Sequence, residues 1–384
     1  MPIYVPDVEY DMDLYSRSDV DFRIQVSVPQ AGIFTLGQSL LNGSDVLGSA
    51  FQWDVYEDEL VEISYTRSVD VTSGIFTRPT AAIADVLVRA SALNPNLNAD
   101  IHPNTKIKID RKTVDDVDWV NLITGFISGV SVQYFYDAQP VISIGIEDAM
   151  NRLLNAPISY TRAAGTLSST MDDFMPLAIA AANLDDTVYT FTWNTLPAAY
   201  TSYKSSHGAL AYTNVTVGTI LNDLMDAELG NVTLTETTFS PRGRDANNST
   251  YWVGNTTDFD NFEIGYNIDY LFSDIIASLT SAPSVQYTKT NTDVSSFFGT
   301  IRQQVSVNLQ DAAQLDQWMT SVIQRSPALR VLNFSIPKFV PGSVVKITND
   351  VAGETTPIVQ EAVDLTITVD PTSISTSMRL YQPV

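Results

Sequence analysis

Between Ile101 and Met150 apolar and polar side chains alternate in three successive runs, a period that leaves little room for anything but strands. Ile107 and Ile109 share one face of the first run. Val130, Val132 and Tyr134 share a face of the second, and Ile142, Ile144 and Ile146 a face of the third. The acidic tip Asp115-Asp116-Val117-Asp118 and the turn from Asp137 to Pro140 separate them, placing Asp and Pro where the chain reverses. An antiparallel meander follows. Met150, Leu153 and Leu154 then form a short amphipathic tail, which predicts a helix closing over that sheet.

The opening of this stretch returns near the C-terminus. Pro103-Asn104-Thr105-Lys106-Ile107-Lys108-Ile109 compares with Pro341-Gly342-Ser343-Val344-Val345-Lys346-Ile347, and each is followed by a long hairpin. The hairpins run from Gly125 to Asp148 and from Ile358 to Leu380, the second turning at Asp370-Pro371-Thr372. Pro-Gly and Lys-Ile pairs are common, so coincidence competes with duplication on the letters alone. The order of features argues for two similar β-domains in one chain.

At 384 residues the chain has room for roughly two to four domains. Residues 1–20, with four Asp and one Glu, read as an extended arm that orders only against a neighbour. Phe22 to Val28, Val61 to Thr66 and Ala84 to Arg89 read as strands, completing a first β-domain over 21–155. The period then changes, and 156–245 reads as a small α+β insert. Pro176 sits near the start of an Ala-rich helix through Leu184, and Val188 to Trp193 is strand-like. Thr216 caps a second helix that Gly230 ends. Residues 246–384 form the second β-domain. It begins in a polar, mobile loop from Arg242 to Phe259 and continues with a strand from Ile264 to Tyr270. A helix near 311–325 opens with Asp311-Ala312-Ala313-Gln314, which resembles a capping box. The fold class is mainly β with α+β parts.

Chemistry is thinly supplied. No cysteine is present, which excludes thiolate nucleophiles, thiolate metal sites and disulfides. The two histidines, His102 and His207, lie in turn-like sequence and read as structural or solvent-exposed. Paired carboxylates run glycoside hydrolysis; Asp115/Asp116/Asp118, Asp172/Asp173, Asp185/Asp186 and Asp258/Asp260/Glu263 are the candidates. Most follow the logic of turns and helix caps, where Asp bonds local backbone amides. The last group faintly suggests Ca²⁺ ligands but lacks the loop glycine and spacing of an EF-hand. We therefore assign no catalytic, cofactor-binding or metal-binding residue and expect no enzyme activity. The N-terminus lacks the basic start and apolar core of a signal peptide, and no apolar run is long enough to span a bilayer. Net charge is −23, from 44 acidic against 21 basic residues, which disfavours attraction to phosphate backbones and anionic lipid.

One order of motifs resembles a known family. It begins with Val61-Glu62-Ile63-Ser64-Tyr65-Thr66-Arg67-Ser68, Gly74-Ile75-Phe76, Ala84 to Arg89 and Leu93-Asn94-Pro95. It continues through Ile101 to Ile109, Gly125-Phe126-Ile127 and Ile144-Gly145-Ile146-Glu147-Asp148-Ala149. Leu221 to Gly230, Glu263 to Asp274 and Asp311 to Arg325 extend it. Together they resemble the tail hub, or minor tail, proteins of long-tailed bacteriophages over about residues 55–384. The resemblance implies two tail-tube-like β-domains, each with an associated helix, in a homotrimer that forms a six-membered ring. It implies a tail tube or distal tail protein on one face, and tail tip or fibre proteins on the other. DNA would pass without specific binding, and no part of the chain would insert into a membrane. The expected location is the virion tail tip, after assembly in the host cytoplasm. A receptor- or carbohydrate-binding β-protein of the tail tip is the alternative. A cell-wall hydrolase of the hub is a weaker one, because the chain ends at Val384 directly after the second hairpin.

Overall fold

A computed structural model describes residues 8–11, 14–29, 51–56, 60–72, 75–89, 91–135, 139–193, 206–242, 250–255, 259–266, 271–325, 330–340, 344–348, 358–361 and 364–382. The strands that carry the architecture are β1 (Val8–Asp11), β2 (Val20–Pro29), β3 (Phe51–Tyr56), β4 (Leu60–Thr72), β5 (Phe76–Pro79), β6 (Ile83–Val88), β7 (Lys106–Thr113), β8 (Val120–Gln133) and β9 (Val141–Asp148). The later ones are β10 (Thr250–Asn255), β11 (Asn261–Tyr266), β12 (Arg330–Ile336), β13 (Val344–Thr348), β14 (Ile358–Glu361), β15 (Asp364–Val369) and β16 (Ile374–Gln382). Twelve strands make one sheet in the order β11-β12-β16-β15-β4-β6-β9-β8-β7-β2-β3, with β5 paired to β4. A four-stranded sheet, β1-β10-β13-β14, accompanies it.

The meander around which the sequence is organised is β7-β8-β9, antiparallel throughout. Ile107, Ile109, Ile142, Ile144 and Ile146 are all buried, so the period-two pattern names the core face of β7 and β9 correctly, whereas on the middle run Val130 and Val132 are only partly buried and Tyr134 is exposed. The C-terminal stretch repeats it. In the first unit β7, β8, β9, β6 and β4 are consecutive antiparallel neighbours. In the second, β13 pairs antiparallel with β14, β15 with β16, β16 with β12, and β12 with β11. Order and sense match if β14 and β15 stand for the two halves of β8. The register of β8 on β9 shifts between Ile127 and Gly129, a bulge at the position where the second unit divides its strand. The matched registers fix equivalences: Lys108 and Lys346 face Thr124 and Val359, and Val132 and Ile367 face Ile142 and Thr376.

Both units share one core. β4 of the first pairs antiparallel with β15 of the second, placing Ile63, Tyr65 and Arg67 opposite Val369, Ile367 and Leu365. Buried aliphatics from β2, β4, β6, β7, β9, β12, β15 and β16 form a single cluster beneath this junction. The N-terminal segment belongs to it. Expected as an arm that waits for a neighbour, it instead pairs β1 with β10 of its own chain, bridges Tyr15 to Phe339 and buries Val20. Tyr15 and Val20, both buried, seat the end of the segment in the core, next to Phe22 of β2.

Two further clusters hold the helices. Helix α1 (Ala149–Asn155) was expected to close over the meander; its Met150 and Leu153 instead join the insert with α2 (Leu167–Ala181) and α3 (Val217–Glu228), Phe126 being the sheet residue they share. α2 begins nine residues before Pro176, which sits inside it, because Thr166 caps the amide of Ser169. The strand expected over Val188–Trp193 shrinks to Thr190–Phe191. A three-stranded sheet of Asp274–Leu279, Ala282–Thr290 and Arg302–Val307 carries α4 (Ala312–Arg325), whose Trp318 is fully buried and donates from Nε1 to the Asp226 carbonyl at 2.9 Å. Half of the expected capping box forms at its start. Asp311 accepts from the Gln314 amide at 2.9 Å, but the Gln314 side chain accepts from the Ser206 amide. Part of the expected loop from Arg242 to Phe259 is strand β10, parallel to both β1 and β13. Residues 267–270 of the expected Ile264–Tyr270 strand lie outside the described residues.

Thr216 caps α3 as the sequence indicates, its Oγ1 accepting from the Thr219 amide at 3.3 Å. Thr216→Ala is expected to lower stability by about 1 kcal/mol, read as a shift in urea midpoint at unchanged slope. An unchanged midpoint would show the cap to be idle.

Candidate assembly surface

The residues singled out for chemistry are dispersed. His102 is exposed, its Nδ1 2.7 Å from the carbonyl of Pro103. His207 is not in a turn; it lies in the short strand Ser206–His207 and is buried. A carbonyl only accepts, so its Nδ1–H donates to Gly208 O at 2.6 Å and Nε2 accepts from the Thr170 hydroxyl. Burial lowers its pKa below the usual range, which keeps the ring neutral as a core hydrogen-bonding group.

The carboxylates follow the same local logic. Asp116 is half-buried, and burial works against its charge. The Thr113 amide at 2.9 Å, the Thr113 hydroxyl at 2.8 Å and Arg111 nevertheless hold its pKa low. Asp115 and Asp118 are exposed on the same hairpin tip. Asp172 accepts from Trp193 Nε1 at 2.6 Å, and Asp173 pairs with Arg162. Asp185 caps its own turn through the hydroxyl and amide of Thr187, which lower its pKa, and Asp186 is exposed. Asp260 and Glu263 are exposed at the edge of the large sheet, while Asp258 lies outside the described residues. Among the described residues no three His, Cys, Asp or Glu side chains gather to hold a metal ion.

Two carboxyls that the sequence did not single out are shifted well above the ordinary carboxylate range instead. Asp148 ends β9 and caps α1. Its Oδ2 accepts from Ala82 N and its Oδ1 from Met150 N, both at 3.0 Å, yet burial pushes its pKa up to about 7. Asp226, beside Arg78 at 3.3 Å, is pushed up to about 6 by burial. Each holds two elements together, strand to helix or β5 to α3.

What the fold does expose is backbone edge. Among the described residues β11 ends the large sheet, paired on one side only. The distal half of β8, residues 128–133, pairs with β9 but runs past the end of β7, whose partners stop at Phe126. Core-facing apolar side chains on both edges, Phe262 and Ile264 on β11 and Val130 and Val132 on β8, stay partly exposed. Tyr134, next on that face of β8, is 66% exposed and Phe135 51%. Unpaired strand edges flanked by apolar side chains are templates for pairing with another chain.

No protein-family model and no curated relative matches the sequence. The fold does match solved structures. The tail protein from Neisseria meningitidis MC58 aligns with TM-score 0.62 at 10% identity, covering 94% of this chain and 96% of that one. The 43 kDa tail protein of prophage MuSo2 from Shewanella oneidensis aligns at 0.57 and 12%, covering 94% and 98%. A chain of the lidded Francisella PdpA–VgrG complex aligns at 0.54 and 9%, covering 97% of this chain and 54% of that one. The chain shares the mainly β fold of these proteins along nearly its whole length.

Proposed function

We propose that this chain is a structural subunit of a phage-tail-like assembly, the hub at the tail tip, in which three copies close a ring of six β-units. The observation that carries the reading is the internal repeat. Two units of matching strand order meet in the large sheet, where β11, β12, β16 and β15 of the second continue the first across the β4–β15 pair, while its β13 and β14 lie in the four-stranded sheet. Such a chain supplies two of the six subunits of a pseudo-six-fold ring, as a tube of hexameric symmetry requires of its cap. The proteins of similar fold are tail proteins and a VgrG complex by description, which supports the same reading. On this proposal one face meets the tail tube or a distal tail protein and the other meets tip or fibre proteins. DNA crosses the ring without being held. The dispersal of His and carboxyl groups into caps and turns supports a subunit that does no catalysis.

Self-repulsion opposes the assembly, since each chain carries −23 and exposed charges act over about 8 Å at physiological salt. Apolar and β-edge burial must offset it, on the order of 2,000 Å² per interface as in obligate oligomers. Light scattering of the purified chain should therefore give three times its 42.1 kDa mass, with the trimer favoured by added salt. A stable monomer with affinity for glycans at every salt concentration overturns the hub in favour of a receptor binder. Labelled duplex DNA titrated at low ionic strength is expected to show no submicromolar binding. Tight binding that weakens with salt would reveal a basic groove and end the passive-conduit reading.

A further inference from the structure

We infer that the partner of β11 is the distal half of β8 in a second copy of this chain, in a register already written once inside the molecule. This rests on the ring reading and adds to it the two strands that join one protomer to the next. The template is the junction between the units, where β4 of the first pairs with β15 of the second. By the equivalence of strand order, β11 is the second unit's β4, and residues 129–134 are the first unit's β15. Each chain thus satisfies the junction once internally and retains one half of it at each edge that is unpaired among the described residues.

Burial differs between the two situations as this requires. At the internal junction Leu365, Ile367 and Val369 are 8%, 2% and 1% exposed, and Ile63 and Tyr65 0% and 6%. Val130 and Val132, the equivalents of Leu365 and Ile367, are only partly covered, and Tyr134, the equivalent of Val369, is 66% exposed. Phe262 and Ile264, equivalent to Ile63 and Tyr65, are likewise partly covered. The same positions of the repeat are sealed at the internal junction and less covered at the two edges, where the Tyr134 hydroxyl accepts from Asn96 Nδ2 at 2.9 Å and Asn94 Nδ2 at 3.3 Å while most of its ring stays exposed.

The register follows. Ile63, Ser64 and Tyr65 face Val369, Thr368 and Ile367 within the chain. Carried across, Phe262, Glu263 and Ile264 of one copy face Tyr134, Gln133 and Val132 of the next. The core-facing pairs are aromatic on aromatic and aliphatic on aliphatic, and the outward pair, Glu263 with Gln133, sets no like charges opposite one another.

The chain contains no cysteine, so an engineered bridge is unambiguous. Directly opposite residues of antiparallel strands have Cα atoms about 4.5–5.5 Å apart, within disulfide reach. Residues two positions out of register, at about 7–8 Å, are not. Gln133→Cys with Glu263→Cys, both exposed in one copy, should on mild oxidation give a covalent trimer on a non-reducing gel. Ser131→Cys with Glu263→Cys, equally exposed but displaced, should bridge at least tenfold more slowly, and each single variant should run as one chain. Light scattering on the same reduced samples separates the outcomes. A trimer that fails to bridge, or bridges equally through the displaced pair, overturns the edge assignment and leaves the ring standing. A monomer overturns both.

Discussion

Gly125→Ala is expected to destabilise the protein by about 3 kcal/mol or more, the upper range for forcing an extra methyl into a packed interior. A Cβ at position 125 would lie 2.1 Å from the Glu147 carbonyl oxygen, 2.7 Å from its carbon and 2.9 Å from the Cα of Asp148. All three are backbone atoms, so no rotamer change relieves the clash. The strands must separate where β7, β8 and β9 meet, since Gly125 faces Ile107 on one side and Asp148 on the other. Asp148 in turn starts α1, so the displacement reaches the insert as well as the sheet. Gly129→Ala, four residues along the same strand, finds nothing within 4 Å and should change stability by about 0.5 kcal/mol or less. Urea unfolding of the two variants side by side is the measurement. Equal midpoints would mean that β8 and β9 do not approach as closely at Gly125 as the structure shows.

How far the sequence reaches can be judged from the same elements. The meander was legible because alternation is a local signal, and Ile107, Ile109, Ile142, Ile144 and Ile146 are each buried as their spacing requires. The repeat was legible from Lys-Ile strands and long hairpins, and the strand order of the two units agrees with it. The junction was not. Tyr65 and Ile367 lie 302 residues apart, and nothing in either strand names its partner. Strand β10 escaped for a related reason: its neighbours β1 and β13 are distant and parallel, so no turn announces them. Pro176 misled by looking like a helix start, although Thr166 had already capped the helix upstream. For the candidate site, the capping role of the carboxylates was readable in Asp116 and Asp185, whose partners lie within three residues. The burial of His207 depends on Thr170, 37 residues away, and that of Asp148 on Ala82, 66 residues away. Those contacts exist only once the chain has folded.

Asp148 also gives the protein a pH dependence opposite to that of most paired carboxylates. Burial raises its pKa to about 7 in the folded chain from 3.8, so between those values the folded state binds the proton and the unfolded state releases it. Stability from this group is complete below pH 4 and is lost as pH rises through 7. At 1.36 kcal/mol per pKa unit the difference is on the order of 4 kcal/mol, and Asp226, raised to about 6, acts in the same direction. Other groups set the acid limit. Asp370, held at about 2 by the Ser373 hydroxyl and the amides of Thr372 and Ser373, contributes above pH 4 and loses that contribution as pH falls toward 2. Asp19 and Asp185, likewise lowered by hydroxyl and amide donors, fail in the same acid range. Urea midpoints at fixed protein concentration should therefore climb from pH 8 to about pH 5 and fall below pH 4. Asp148→Asn retains one side-chain oxygen for the Ala82 or Met150 amide but carries no proton equilibrium. Its baseline stability shifts by the loss of the second acceptor; what decides is the slope between pH 8 and 5, which should flatten by more than half. If the wild-type and Asp148→Asn slopes coincide, the carboxyl is charged in the folded protein, and its backbone amides outweigh its burial.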